Sequence, residues 1–510
     1  MRSTELTYVP QSTSKRGIGR GIGVVAAIAV AAAVTAPVAA QAAGAADATP
    51  AASSKLHDDF NGDGYADLAM AAPTATVGGK KGAGHVAVLY GSANGLSTTK
   101  RQVFSQNTAD VPGGAETDDA FGSALSTADL DRDGYADLVV GVGSEDTADG
   151  GEESGLVEVL WGGAKGLSGG AVLATGKAYD RLGAQGRLTV GDIDGDGAED
   201  LVTVENQFNL RVLKGPFARD GSTADGEQLV TDEFDSRYLD LATGDVNGDG
   251  VTDVAATQHD GDEFDARRVV YWLGSEQGLT PYTTVQGADG YRLQGGESLD
   301  IGDVDQDGVD DIVVGRAVTG YDSDLDTPAA KGGRVTWIPG TSDGPDGTKA
   351  THLNQDSPGV PGSAEAGDGF GTDVRVADVN GDGYPDVATG LPGENLGSVA
   401  DAGAVVVLRG GAKGLTGTGA QVVTQNTPNV PGAAEKGDAF GKAVHLADAN
   451  HDGLADLAAG APGENGNAGS VWYFRSGPTT VVSPNGTTAF GNTLLGTTPT
   501  DARLGSVFAD

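Results

Sequence analysis

The sequence predicts an all-β fold, a seven-bladed β-propeller built as a ring of small sheets with one acidic loop in each blade. Three observations lead to this prediction. A nine-residue acidic string occurs seven times, a short apolar run follows each copy, and a second apolar run comes before the next copy. Four short strands per repeat are typical of a propeller blade. A unit of this size cannot bury a core alone, so neighbouring units must stack.

The acidic strings share fixed positions. In "DLDRDGYAD", which begins at Asp129, acidic side chains stand at positions 1, 3, 5 and 9, and glycine stands at position 6. The other copies begin at residues 59, 192, 245, 303, 378 and 448, and some carry asparagine at position 3. Glycine at position 6 permits a tight turn that a side chain would resist. Alternate oxygens of such a turn point inward, so the strings predict cation-binding loops.

Calcium is the cation that these loops predict. Ca²⁺ takes six to eight hard oxygen ligands at about 2.3–2.6 Å, whereas Mg²⁺ keeps several of its waters. We expect side-chain ligands at positions 1, 3, 5 and 9 and a backbone carbonyl ligand at position 7, which gives about seven calcium sites, one per loop. The predicted ligands are Asp59, Asn61, Asp63, Tyr65, Asp67, Asp129, Asp131, Asp133, Tyr135, Asp137, Asp192, Asp194, Asp196, Ala198, Asp200, Asp245, Asn247, Asp249, Val251, Asp253, Asp303, Asp305, Asp307, Val309, Asp311, Asp378, Asn380, Asp382, Tyr384, Asp386, Asp448, Asn450, Asp452, Leu454 and Asp456.

Two other interpretations of the loops are open. An EF-hand needs a bidentate glutamate at position 12 and a helix on either side. Position 12 carries no carboxylate in any copy, and its residues are Met70, Val140, Thr203, Ala256, Val314, Thr389 and Ala459. The loops could also be acidic surface turns that bind no metal. The same ligand spacing in seven copies favours calcium.

The chain between the loops predicts the other strands. A run such as "LVEVLWG" at 156 or "AVVVLRG" at 404 follows a variable glycine-rich stretch in most repeats. These short apolar runs bounded by glycine indicate buried strands. A parallel β-helix with calcium-binding nonapeptides is an alternative, but it needs tandem short repeats without long gaps.

The two ends of the repeat region complement each other. The first loop follows "SSKLHD" with no strand before it, whereas the chain stops at "RLGSVFAD", which is similar to a strand with no loop after it. We therefore expect residues 504–510 to join the blade whose loop begins at Asp59, which would close the ring and hide two open sheet edges. The spacing from Leu504 to Asp510 is two residues shorter than in the second repeat, so Asp510 is not expected to be a ligand.

Residues 1–42 predict a secretory signal peptide. Basic residues precede an apolar run over 22–34, and "PVAAQA" offers a small-residue cleavage site. A transmembrane anchor is the alternative, but a span needs about 20 apolar residues. Twin arginines are absent, which favours the general secretory route. We expect a short disordered linker over 43–54, the propeller over 55–510, and release from the cell with no membrane span after signal removal.

The composition of the chain disfavours some classes of partner and excludes some kinds of site. The formal net charge is −40, which disfavours nucleic acid and anionic membranes as partners because both require basic patches. The chain has no cysteine, which excludes disulfides, zinc–thiolate sites and cysteine nucleophiles.

Three stretches resemble a known family. They are "FGSALSTADLDRDGYADLVVG", "FGTDVRVADVNGDGYPDVATGLPGE" and "FGKAVHLADANHDGLADLAAGAPGE". They look like FG-GAP repeats, the blades of the integrin α-subunit propeller and of many secreted bacterial proteins. The likeness covers residues 55–510 and weakens in the middle, where Phe-Gly becomes Leu182-Gly183 before the third loop and is missing before the next two. The resemblance implies that the face away from the calcium loops meets ligands and partner subunits.

These observations predict a secreted, monomeric binding or adhesion module whose partner is an extracellular protein or polysaccharide. The long loops of the face opposite the acidic loops, over 71–84, 143–155, 316–333 and 390–403, are where we expect recognition. A carbohydrate-active hydrolase or lyase on the same scaffold is the alternative. Two G-x-S-x-G matches, at 166 and 340, lack the setting of a nucleophile elbow, and the six histidines show no repeated spacing.

Overall fold

The computed structural model describes residues 57–510 except 185, 224–225, 232–235, 260–265, 319–320, 323–326, 329 and 479–481. The predicted signal peptide and linker lie outside the described residues, as does part of the predicted recognition loop over 316–333.

Within the described part of the chain, seven four-stranded antiparallel sheets form the blades of a β-propeller, which confirms the predicted fold. Blade 1 contains β1 (Leu68–Ala72), β2 (His85–Leu89) and β3 (Arg101–Phe104). Blade 2 contains β4 (Phe121–Ala128), β5 (Asp137–Val142), β6 (Leu156–Trp161) and β7 (Ser168–Thr175). Blade 3 contains β8 (Leu188–Gly191), β9 (Asp200–Glu205), β10 (Asn209–Leu213) and β11 (Glu227–Val230).

The remaining blades follow the same order along the chain. Blade 4 contains β12 (Arg237–Gly244), β13 (Asp253–His259), β14 (Arg267–Trp272) and β15 (Thr283–Thr284). Blade 5 contains β16 (Ser298–Gly302), β17 (Asp311–Arg316), the separate hairpin β18 (Tyr321–Asp322) and β19 (Thr327–Pro328), then β20 (Arg334–Ile338) and β21 (Thr351–Leu353). Blade 6 contains β22 (Val374–Ala377), β23 (Asp386–Leu391), β24 (Ala404–Arg409) and β25 (Thr416–Val423). Blade 7 contains β26 (Val444–Ala447), β27 (Asp456–Ala461), β28 (Ser470–Phe474) and β29 (Thr488–Gly491).

Short helical turns lie in some of the connections between strands. They are a 3₁₀ turn over Gly347–Lys349, α1 (Glu464–Asn467) and α2 (Asn492–Leu495).

The core lies between the blades. Leu138 and Val140 of β5 pack with Val86 and Phe104 of blade 1, whereas Val139 of the same strand packs towards blade 3. Successive side chains of a strand point to opposite faces of its sheet, so a strand covered by a blade on each side is apolar throughout. This explains why β5 is buried along its whole length.

The Phe-Gly motif marks the start of a blade's first strand. Phe440 is fully buried, and its backbone bridges to Gly403 of the preceding blade. Leu182 and Leu504 are equally buried and make the same kind of bridge, to Gly155 and Gly469. Leucine therefore takes the place of the phenylalanine with the same backbone pairing.

Buried arginines stand near the two blades that lack Phe-Gly. Arg268 donates to the Ser236 hydroxyl at 2.7 Å just before β12. Arg316 donates to the Gly295 carbonyl at 3.1 Å just before β16. Both side chains are almost fully buried, so guanidinium hydrogen bonds supply contacts at these blade entries.

The last strand of the chain belongs to the first blade. β30 (Val507–Phe508) pairs antiparallel with β1, with Met70 opposite Phe508. The Asp510 carbonyl accepts from the Thr127 amide of blade 2 at 2.8 Å, and its side chain pairs with Arg375 of blade 6. Blade 1 thus takes its first strand from residues near the C-terminus.

Candidate functional site

Six acidic loops join the first and second strands of their blades, and the blade 1 loop leads into β1, the second strand of its blade. All seven loops therefore lie at one end of the ring. The loops also contact one another. The position-8 amide of a loop donates to the position-1 carbonyl of the preceding blade, as in Ala136 to Asp59 at 3.1 Å and Asp310 to Asp245 at 2.9 Å. Ala66 makes the same bond to Asp448 at 3.4 Å, which links blade 1 to blade 7.

The backbone of each loop is folded around its own carboxylates. In blade 2, Gly134 N–H donates to Asp129 Oδ2 at 3.0 Å, and Tyr135 N–H donates to Asp133 Oδ1 at 3.1 Å. All seven loops repeat these two bonds. The predicted turn at glycine position 6 is left-handed, with a φ of 99° at Gly134. Position 4 is left-handed as well, at Arg132, Gln306 and His451 among others, which sequence analysis missed.

The position-9 aspartate has a second role. Asp137 is fully buried, and its Oδ1 accepts from Gly162 N–H at 2.7 Å while its Oδ2 accepts from Leu130 N–H at 3.0 Å. Every blade has the equivalent bond from a residue one or two positions after its third strand. Burial raises the pKa of Asp137 to about 7. Position 9 therefore holds the loop to the sheet, a role for which the spacing alone gave no indication.

Three loops bring carboxylates together as a cation site requires. One oxygen from each of three aspartates lies within 4.8 Å of the others in blades 2, 3 and 5. These sets are Asp129, Asp131 and Asp137; Asp192, Asp194 and Asp196; and Asp303, Asp305 and Asp311. In blade 3, Oδ1 of Asp192 and of Asp194 are buried without a hydrogen-bond donor. Several acceptors with too few donors fit a hard cation.

The four loops with asparagine at position 3 are arranged differently. The amide nitrogen of Asn380 donates to Asp386 at 2.7 Å, and that of Asn450 donates to Asp456 at 2.9 Å. Asn61 and Asn247 likewise donate to carboxylates. To ligate a cation, each amide must turn its oxygen inward, a rotation of the same planar group.

The opposite end of the ring carries the long loops. There, the loop after a blade's second strand pairs with the linker that enters the next blade. Ala439 N–H donates to Asp401 O at 3.1 Å and Phe440 N–H to Ala402 O at 3.0 Å. Asp118 N–H donates to Lys81 O at 2.8 Å in the same way. The described loops of this end are therefore held by backbone hydrogen bonds.

Buried hydrogen bonds between glutamine and glutamate side chains also hold these loops. Gln106 Nε2 donates to Glu145 Oε2 at 2.7 Å, and Gln425 Nε2 donates to Glu464 Oε2 at 2.6 Å. Gln355 and Glu394 form a third pair at 2.8 Å. Burial raises the pKa of Glu145 to about 7. The sequence analysis did not predict these pairs, although the shared "QNT" at 106 and 425 and "PGE" at 392 and 462 contain four of the six residues.

An aromatic and charged patch projects from this end. The Tyr179 side chain is 58% exposed, and its hydroxyl donates to Glu152 Oε2 at 2.5 Å. Arg181 Nε donates to Glu153 Oε2 at 2.8 Å. The predicted recognition loop over 143–155 supplies both glutamates. Exposed aromatic and arginine side chains on a fixed backbone are common anchors of protein interfaces.

A cavity of about 360 Å³ lies in the central channel and is lined by first strands from around the ring. Arg375 pairs there with Asp373 at 3.1 Å and with Asp510. Burial raises the pKa of Asp300, beside this cluster, to about 7.

The residues considered for catalysis stand apart from one another. Ser168 of the first G-x-S-x-G match begins β7, and the second match lies in a turn after β20. The second match is followed by the three-residue 3₁₀ turn over Gly347–Lys349, and neither match leads from a strand into an α-helix, the setting that a nucleophile elbow needs. Burial lowers the pKa of His85 to about 4. Among the described residues, no helix is long and apolar enough to cross a membrane.

Comparisons with known proteins agree with the repeat pattern. The FG-GAP repeat family matches residues 56–89, 121–160, 370–408 and 440–474, and the FG-GAP-like repeat family matches residues 245–314. Integrin alpha-5 of Xenopus laevis is 29% identical over 222 residues, which cover 40% of this chain and 19% of that protein. Phosphatidylinositol-glycan-specific phospholipase D of Rattus norvegicus is 31% identical over 188 residues, or 35% of this chain and 21% of that protein. Integrin alpha pat-2 of Caenorhabditis briggsae is 30% identical over 42% of this chain and 18% of its own length. The chain thus spans about a fifth of the length of these relatives.

Proposed function

We propose that this FG-GAP repeat protein, whose propeller is similar to those of integrin α subunits, is a secreted, calcium-stabilised binding module for an extracellular protein or polysaccharide. The observation that carries the proposal is the hydrogen-bonded surface opposite the acidic loops. Binding costs less when the loops that contact a partner are already ordered. The Tyr179 and Arg181 patch stands on such a surface.

Calcium supports the other end of the ring in this proposal. The converging carboxylates of blades 2, 3 and 5 fit a hard divalent cation, which would neutralise their mutual repulsion. The chain's own contribution is to hold those oxygens in place with the position-6 and position-7 amides. The sites are expected to be structural, with dissociation constants of about 10⁻⁴–10⁻³ M, as in other extracellular modules.

The extracellular location rests on the predicted signal peptide. It is also consistent with loops that need calcium at such concentrations. The net charge of −40 disfavours polyanionic partners and favours neutral or basic surfaces.

A binding screen with matched variants tests the proposal. The mature chain is applied in 2 mM calcium, a chosen assay condition of about twice the upper affinity bound, to arrays of extracellular matrix proteins and of polysaccharides. We expect retention on at least one probe, and we expect Tyr179→Ala combined with Arg181→Ala to weaken it at least about tenfold. Lys165→Ala, an exposed change in the loop between β6 and β7 at the acidic end, is the control and should bind as wild type.

The same screen separates binding from catalysis. Polysaccharide probes are assayed for released reducing ends after incubation. Polymer retained at unchanged length supports a binding module. Shortened polymer, or wild-type binding by the Tyr179 and Arg181 variant, would overturn the proposed function or the placement of its surface.

A further inference from the structure

The acidic loops differ in what lies beside them. In blade 2, Arg219 reaches over from the segment between β10 and β11 of blade 3. Its Nε is 2.6 Å from Asp131 Oδ2, and its Nη2 is 2.5 Å from Asp133 Oδ2. The guanidinium also stacks over the Trp161 ring, 5.4 Å from its centre. A basic side chain therefore contacts positions 3 and 5 of this loop directly.

Two further loops have a comparable partner from their own blade. Lys214 Nζ is 2.7 Å from Asp194 Oδ2 in blade 3. In blade 6, Arg409 lies 3.1 Å from both Asp382 and Asp386. Both side chains are more than four-fifths buried, at 17% and 15% exposed, so water screens these pairs less than surface pairs. Lys100 approaches Asp63 of blade 1 only to 3.7 Å and is 66% exposed.

The loops of blades 4, 5 and 7 have different surroundings in the described part of the chain. Among the described residues, no lysine or arginine forms an ion pair with the loop acids of blades 4, 5 and 7. Neutral donors approach two of them instead. Trp337 Nε1 donates to Asp311 at 2.8 Å, and the Tyr473 hydroxyl donates to Asp456 at 2.5 Å. These donors bring no charge to offset the carboxylates.

We propose that Arg219, Lys214 and Arg409 are built-in counter-ions that weaken calcium binding in their loops, so the loops form two affinity classes. The weak class comprises blades 2, 3 and 6, and the tight class comprises blades 4, 5 and 7. Blade 1 lies between them, because its only basic neighbour of this kind among the described residues is the exposed Lys100 at 3.7 Å. The inference rests on the proposed calcium binding of the loops. A fixed positive charge beside a carboxylate repels an incoming divalent cation and occupies lone pairs that the cation would use.

The same arrangement gives the weak-class loops a stabilising charge when calcium is scarce. Their carboxylates keep a partner on chelation, whereas those of blades 4, 5 and 7 are left to repel one another. Ring stability then depends on calcium mainly through the tight class.

Calcium titration of the mature chain by isothermal calorimetry tests this inference. Wild type should show a tight class of about three or four sites and a weaker class, since three loops carry a close basic partner. Arg219→Met should move one site into the tight class, with an affinity gain on the order of tenfold. Arg409→Met should do the same independently.

Arg211→Met is the matched control, because Arg211 pairs with Glu227 at 2.8 Å on β11 and touches no acidic loop. It should titrate as wild type. Calcium binding by wild type with no change in either the Arg219 or the Arg409 variant would overturn the inference and leave the proposed calcium role intact. A wild-type chain that takes up no calcium would overturn both.

Discussion

The loops of blades 2 and 5 are nearly the same in sequence and differ in surroundings. Each has aspartates at positions 1, 3, 5 and 9, to which the blade 5 loop adds Asp310 at position 8. In each loop, one oxygen from each of positions 1, 3 and 9 lies within 4.8 Å of the other two. Each has a non-glycine residue with positive φ at position 4, Arg132 or Gln306. Arg219 pairs with the blade 2 loop, whereas Trp337 donates a neutral hydrogen bond to the blade 5 loop. The neighbouring strands and loops, rather than the motif, therefore set the electrostatics of each site.

The largest effect on stability should come from replacing the position-9 aspartate, which both loops share. Asp137→Ala and Asp311→Ala each leave buried backbone donors without an acceptor, at about 1–3 kcal/mol per donor. We expect each variant to lose more than about 2 kcal/mol in urea unfolding, with and without calcium. Equal losses would show that position 9 anchors both sheets regardless of Arg219. Wild-type stability of either variant would refute the anchoring role.

Removal of calcium by EGTA should affect the blade 2 and blade 5 loops differently. In EGTA, the blade 5 loop has uncompensated carboxylates, whereas Arg219 still offsets those of blade 2. Hydrogen exchange followed by mass spectrometry should show amides over 303–311 exchanging on the order of tenfold faster in EGTA, with a smaller change over 129–137. If amide exchange accelerates equally over both segments, Arg219 does not protect the blade 2 loop when calcium is absent.

The direction in which stability changes with pH should reverse when calcium is present. Burial raises the pKa of Asp137 and Asp311 to about 7, above the ordinary value of 3.8, so the metal-free fold binds protons more tightly than the unfolded chain. Stability in EGTA should therefore fall as pH rises from about 4 to about 7. Calcium favours the ionised carboxylates and should stabilise most above that range. Melting temperatures with and without calcium should differ most near pH 8 and converge near pH 5; a constant difference would contradict this.

The smallest effect should be that of Arg219 on the metal-free fold. Its side chain is 48% exposed, and exposed ion pairs contribute about 0–1 kcal/mol. Arg219→Met should therefore lower the melting temperature in EGTA by at most a few degrees. A larger drop in melting temperature would mean that Arg219 mainly stabilises the fold of blade 3 and is not mainly a counter-ion.

The repeats alone were enough to predict the number of blades and the antiparallel sheets. Ligand spacing is a local property, so the convergence of Asp303, Asp305 and Asp311 follows from a nine-residue string. Arg219 is 88 residues from Asp131, and only the ring brings blade 3 beside the loop of blade 2. The same holds for Gly162, whose amide reaches Asp137 across the sheet. Such contacts depend on register and packing, which single-sequence patterns do not encode.

The central claim is that the acidic loops hold calcium, and the most direct measurement is the metal content of the mature chain. The protein is equilibrated by dialysis with about 10 mM calcium, tenfold above the upper bound of the expected dissociation constants, and the calcium on both sides of the membrane is measured by elemental mass spectrometry. We expect close to seven bound calcium ions per chain, one for each loop in the sequence. Two or fewer ions per chain would contradict that claim.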